Sequence, residues 1–145
     1  MPSQDPFELE RFLAAQAEPY ASALAELHAG HKRSHWMWFV FPQIEGLGSS
    51  FMAQRYALSG LAEARAYLAH PVLGARLLEC TRTLNALQGR SAQQIFGATD
   101  AMKFRSSMTL FEAAAGPGSE FSRALELYFG GERDALTGAR LAAPR

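Results

Sequence analysis

At 145 residues, the chain has the size of one domain. It buries roughly 70% of the surface its unfolded form exposes, so it needs neither disulfide nor metal to hold a core. Apolar residues make up 48% of it, which excludes a disordered chain, and 14 basic against 14 acidic residues argue against sequence-independent binding of double-stranded nucleic acid, which needs an excess of positive charge.

The single cysteine, Cys80, leaves no internal disulfide. "MPSQDPFELERF" has no basic region followed by an apolar run, and the longest apolar run, "WMWFVF", is far shorter than a membrane span. The expectation is a cytoplasmic protein that does not enter membranes.

Helical signals then follow one another along the chain. In "DPFELERFLAAQ", Asp5 reads as an N-cap, Pro6 as the first helical residue and Glu8 as the second half of a capping box. Leu9, Phe12 and Leu13 share a face, and Gln16 is in phase with them; a polar group there needs a partner or marks a pocket. A second helix starts near Pro19, aligns Tyr20, Leu24 and Leu27, and stops at Gly30.

Residues 34–43, "SHWMWFVFPQ", are the most apolar stretch. As a strand the segment must bury both faces, and in a helical protein its backbone groups would find no ladder. As a helix it is apolar all round, which also demands burial. The helix is the better reading, and it ends where Pro42 biases Phe41 away from the α region. His35, Gln43 and the indole N–H groups of Trp36 and Trp38 resist a purely structural account. The apolar body is expected to build the core, with the polar ends facing a cavity.

"EGLGSS" is a loop that caps a short helix in "SFMAQRYAL". Its N–H groups suit a phosphate, but it has neither the Walker lysine nor the dinucleotide pattern, and its glycines equally serve the turn. Ser59 can cap "GLAEARAYLAH", with Leu61, Ala64 and Leu68 inward and His70 as a cation at the C-terminal end. "PVLGARLLECTRTLNAL" carries one stripe, Leu73, Leu77, Cys80, Leu84 and Leu87, leaving Arg76, Glu79 and Arg82 for water.

Ser91 and Gln94 form a capping box. "TDAMKFRSSMTLFEAAAG" aligns Phe104, Met108 and Phe111 and stops at Gly116-Pro117. Ser119 opens a helix with Phe121, Leu125 and Tyr128 inward, and the tail adds a last short helix. The fold expected is all-α: a single domain over 1–145 of about seven or eight helices around the aromatic segment 34–43, with residues 1–4 and 142–145 frayed.

Lysine usage points to chemistry. All the basic residues except Lys32 and Lys103 are arginine, and lysine differs in being a compact point charge whose pKa responds to burial. Asp100, Lys103 and Ser107 lie at i, i+3 and i+7, on one helical stripe that can line a pocket wall. The bland account is that Asp100 or Thr99 caps the helix and Lys103 pairs with Asp100.

His28, His31 and His35 have helical spacing, but Gly30 interrupts it and no carboxylate or cysteine cluster accompanies them, so no metal site is expected. Cys80, on the core stripe, reads as a buried small hydrophobe. The residues singled out are Lys103 and His35 for acid–base work, with Lys32, Trp36, Trp38, Gln43, Asp100 and Ser107 for binding. Aromatic walls with a few placed polar groups suit a small anionic or nucleotide-like ligand. The alternative is an interaction or self-association module that uses an exposed aromatic patch without catalysis.

"GHKRSHWMWFVFPQIEGLGSS", "YLAHPVLGARLLE" and "IFGATDAMKFRSSMTLF" together resemble the bacterial domain-of-unknown-function family 1810, from about Phe12 to Phe129. The family pattern G-x-K-x-S-H-W-M-W-F-x-F-P-Q followed by L-G-x-S is matched with one departure, His31-Lys32-Arg33 in the spacer before Ser34. The resemblance implies an all-helical single domain and no cofactor or reaction. Some family members carry the label "calpastatin", which belongs to a disordered repeat inhibitor. This chain is apolar enough to fold and has no repeats. A slighter likeness, to helical proteins that handle ADP-ribose and related NAD products, rests on Lys103-Phe104 followed by an apolar helix.

Overall fold

The computed structural model describes residues 5–142, so the expectation of frayed ends at 1–4 and 143–145 lies outside them, while Ala142 closes the last helix. Within this range the chain forms α1 (Glu10–Gln16), α2 (Tyr20–Ala29), α3 (Met37–Val40), α4 (Phe51–Arg55), α5 (Leu61–Ala69), α6 (Leu73–Ala86), α7 (Ala92–Phe96), α8 (Ala98–Ala115), α9 (Glu120–Phe129) and α10 (Ala135–Ala142). The class is all-α. The helix count exceeds the expectation because α3, α4 and α7, of 4, 5 and 5 residues, each close little more than one turn. Strand-like pairing among the described residues is limited to one parallel bridge, Ile44 with Leu58.

The longest helix, α8, runs through the middle and packs against α3, α5, α7, α9 and α10. From Ser106 to Phe111 every residue is buried, so this stretch is enclosed all round. The aromatic segment meets it there. The Phe41 ring stands edge-on to Phe104 at 5.1 Å and to Phe96 at 6.2 Å, and tilts against Trp36 at 6.2 Å, the arrangements that ring quadrupoles favour. Trp36, Met37, Phe39, Val40 and Phe41 are all buried.

Local chemistry accounts for most boundaries. Ser50, Ser91 and Ser119 each accept an N–H at the start of a helix, and Ser91 with Gln94 completes the capping box. Gly30 ends α2 in the left-handed conformation, φ 72°, which glycine adopts without penalty.

Several expectations need correction. Helix α1 begins at Glu10. Asp5 caps it from further back, accepting from the Leu9 and Glu10 N–H groups at 2.7 and 2.9 Å, and Glu8, at φ 55°, stands outside the helix. Gly60, with no side-chain bond, occupies the N-cap of α5, and Ser59 instead donates through its N–H and hydroxyl to Glu63. His70 is the C-cap residue of α5, as its position suggested, but its Nδ1 accepts from the Val72 and Leu73 N–H groups at 3.1 and 3.2 Å, so the ring serves the start of α6. Arg76 lies 4.7 Å over the Tyr20 ring and donates to Gln16, where an exposed arginine was expected.

Gln16 has its partners inside. It donates to the Phe39 carbonyl at 2.6 Å and to the Tyr67 hydroxyl at 3.0 Å, and accepts from Arg76. One side chain thereby ties α1 to α3, α5 and α6, which answers the question its place on an apolar face raised.

Candidate functional site

The site begins in the segment between α2 and α3. The Glu26 carboxylate accepts from the Arg33 N–H (2.7 Å), the Ser34 N–H (3.0 Å) and hydroxyl (2.5 Å), and the Trp36 indole N–H (3.0 Å). These bonds hold residues 33–36 outside the helix expected to start at Ser34, so α3 starts only at Met37. Burial alone would raise the Glu26 carboxyl, but the bonds from Ser34, Arg33 and Trp36 outweigh it and bring the pKa down to about 2. The sequence reading missed Glu26. Its signal was an acid in the last turn of a helix, where the dipole disfavours negative charge unless something else binds it.

Lys32 is placed by its backbone, whose N–H donates to the Ile95 carbonyl at 2.8 Å. Its ammonium then reaches Asp100 Oδ2 at 2.7 Å, and the Lys103 ammonium reaches Asp100 Oδ1 at 3.2 Å. Each lysine also lies over a tryptophan: Lys32 is 5.2 Å from the Trp36 ring centre and Lys103 is 4.9 Å from that of Trp38. Ring faces attract cations more strongly where water is scarce. Water is scarce here, with side-chain exposures of 8% for Lys32, 20% for Asp100 and 24% for Lys103.

Burial pushes the Asp100 carboxyl up, but hydrogen bonding to Lys32, the Lys32 charge and then Lys103 outweigh it, leaving the pKa below the ordinary value. Asp100 also sits in the first turn of α8, where the helix dipole favours an anion. The cluster sums to one positive charge. Each ammonium has three N–H donors and gives one to Asp100.

The other candidates lie variously. Trp36 is sealed in the core, whereas Trp38 is half-buried beside Lys103. His35 is exposed at the tip of the segment. Gln43 lines a separate hollow of about 170 Å³, formed by residues 43–48 with Ala53, Gln54 and Ala57. Ser107 is fully buried one turn beyond Lys103, and its hydroxyl has no hydrogen-bond partner, whereas Ser106 and Thr109 bond back to the Met102 and Arg105 carbonyls.

Among the described residues no three side chains are grouped to hold a metal ion, and none of their helices is long and apolar enough to cross a membrane. Cys80 is buried, and that burial raises its thiol to about 12, so it is no thiolate nucleophile.

No curated protein matches the chain. A solved structure does: the conserved hypothetical protein Rv1873 from Mycobacterium tuberculosis is similar to it at 54% identity, with a TM-score of 0.94, over 97% of this chain and 100% of that one. The family model described as "Protein of unknown function (DUF1810)" matches residues 6–141, and the chain belongs to that family.

Proposed function

We propose that this protein binds a small anionic or nucleotide-like ligand at the Lys32–Asp100–Lys103 cluster, against Trp38. The observation that supports the reading is the convergence of the two lysines, from distant parts of the chain, on one carboxylate, each over an indole. A surface ion pair contributes little and needs no such surroundings. Two largely desolvated ammonium groups with spare donors form a local positive field of the kind that attracts a phosphate or carboxylate. The half-buried Trp38 ring offers apolar surface to a planar group beside it.

Lys103, the more exposed cation, would touch the ligand and exchange a proton with it. His35, at the exposed tip, would join it only through a ligand that extends along the segment. The reading keeps the cytoplasmic setting expected from a single cysteine and apolar runs far shorter than a membrane span.

A thermal-shift series with nucleotides, sugar phosphates and NAD fragments tests the proposal. A ligand present at 100 times its dissociation constant stabilises the fold by about 2.7 kcal/mol. The expected result is a rise in Tm for wild type that disappears in Lys103→Ala. A rise that persists undiminished in the variant removes Lys103 from the site.

A further inference from the structure

We infer that Asp100 is a built-in competitor for the ligand's oxyanion: it keeps Lys32 permanently and yields Lys103 when the ligand binds. The inference rests on the proposed binding function and assigns the division of labour within it.

The two contacts of the carboxylate differ. Lys32 is the closer at 2.7 Å and the more buried at 8% exposure, against 3.2 Å and 24% for Lys103. Lys32 is also anchored by its own backbone bond to Ile95, and it lies over Trp36, which solvent does not reach. Releasing Lys32 would strand a buried charge, which is costly. Releasing Lys103 would not, because its ammonium rides on a flexible stem at the solvent edge beside half-buried Trp38.

An incoming oxyanion thus takes Lys103 while Asp100 stays with Lys32, and no charge is left unpaired at any stage. The local excess of one positive charge matches the single negative charge of a carboxylate or a phosphodiester, and balances about half the charge of a phosphate monoester. The same arrangement makes Asp100 an opponent of binding, since its charge repels the ligand and its Oδ1 occupies the cation the ligand needs.

The test is titration of wild type, Asp100→Asn and Lys103→Met with inorganic phosphate and, separately, with acetate. Tryptophan emission is the readout, and chloride holds the ionic strength constant. Asp100→Asn is expected to bind one of the two anions about tenfold more tightly than wild type, and Lys103→Met about tenfold more weakly. Which anion responds distinguishes a phosphate-bearing from a carboxylate-bearing ligand.

Nitrogen-15 NMR of the lysine ammonium groups in wild type gives a second measurement that needs no variant to fold. Phosphate or acetate should shift the Lys103 signal and leave that of Lys32 in place. Weaker or unchanged binding in Asp100→Asn, or equal shifts at both lysines, would overturn the competitor role while leaving the binding function standing. Absence of binding by any of the three chains to these anions, together with no ligand found in the thermal-shift series, would overturn both.

Discussion

Glu26 shows how much one side chain can decide. Four hydrogen bonds converge on its carboxylate, and together they set the course of the backbone between Lys32 and Trp36. In Glu26→Gln one acceptor oxygen becomes an amide donor that faces other donors, and the charge that strengthened every bond is lost. Hydrogen bonds to charged groups contribute about 1.5–3 kcal/mol, so urea denaturation should show a loss of that order. Trp36 emission should change as the buried indole loses its charged partner. A variant as stable as wild type would mean that the segment is held by its apolar packing alone. Ser107 raises a related question at the same scale, for its buried hydroxyl has no partner where neighbouring Ser106 and Thr109 bond back to the helix.

Among elements, the crossing of α5 and α6 is the tightest contact at a glycine. A Cβ built on Gly74 would lie 2.1 Å from the Leu68 carbonyl oxygen, and that oxygen belongs to backbone, which cannot swing aside. Gly74 lies within α6 and is not left-handed, so the reason for glycine is space, not dihedral freedom. Alanine normally favours a helix by about 1 kcal/mol over glycine. Here overpacking reverses the sign, and Gly74→Ala should destabilise by about 1–3 kcal/mol, read as a lower Tm with an unchanged far-ultraviolet spectrum.

The boundaries of these helices were legible because capping is local: Ser50, Ser91, Ser119 and Gly30 act within one turn of themselves. His70 sits at the junction of two helices, and its Nδ1 bonds to the N–H groups two and three residues on are just as local; the sequence reading assigned the ring to the helix behind it because histidine is not among the usual N-cap residues.

For the whole molecule, the depressed carboxyl groups predict how stability depends on pH. Asp5, Glu26, Asp100 and Glu112 all have folded pKa values below their ordinary ones. Groups of this kind contribute stability that is fully present above their unfolded pKa and is lost as pH falls through the folded value. The ordinary values are 3.8 for the aspartates and 4.5 for the glutamates, and Glu26 reaches about 2. Melting temperature should therefore be flat with respect to these groups above pH about 5 and fall progressively from there towards pH about 2. Glu26→Gln should remove part of that slope.

By itself the sequence determined the class, most helix limits and the apolar faces, because these follow from periodicity and caps acting over a few neighbouring residues. It also singled out both lysines, through composition, and both tryptophans, through their place in the apolar run 34–43. What only tertiary structure decided is that Lys32 and Lys103 share Asp100, that Trp36 is sealed while Trp38 stays half-open, that Gln43 turns to a different hollow, and that Glu26 shapes the segment joining them. Those facts depend on how α3 and α7 dock on α8 and how the segment after α2 is laid against α7, and docking joins residues whose separation along the chain carries no information about their distance in space.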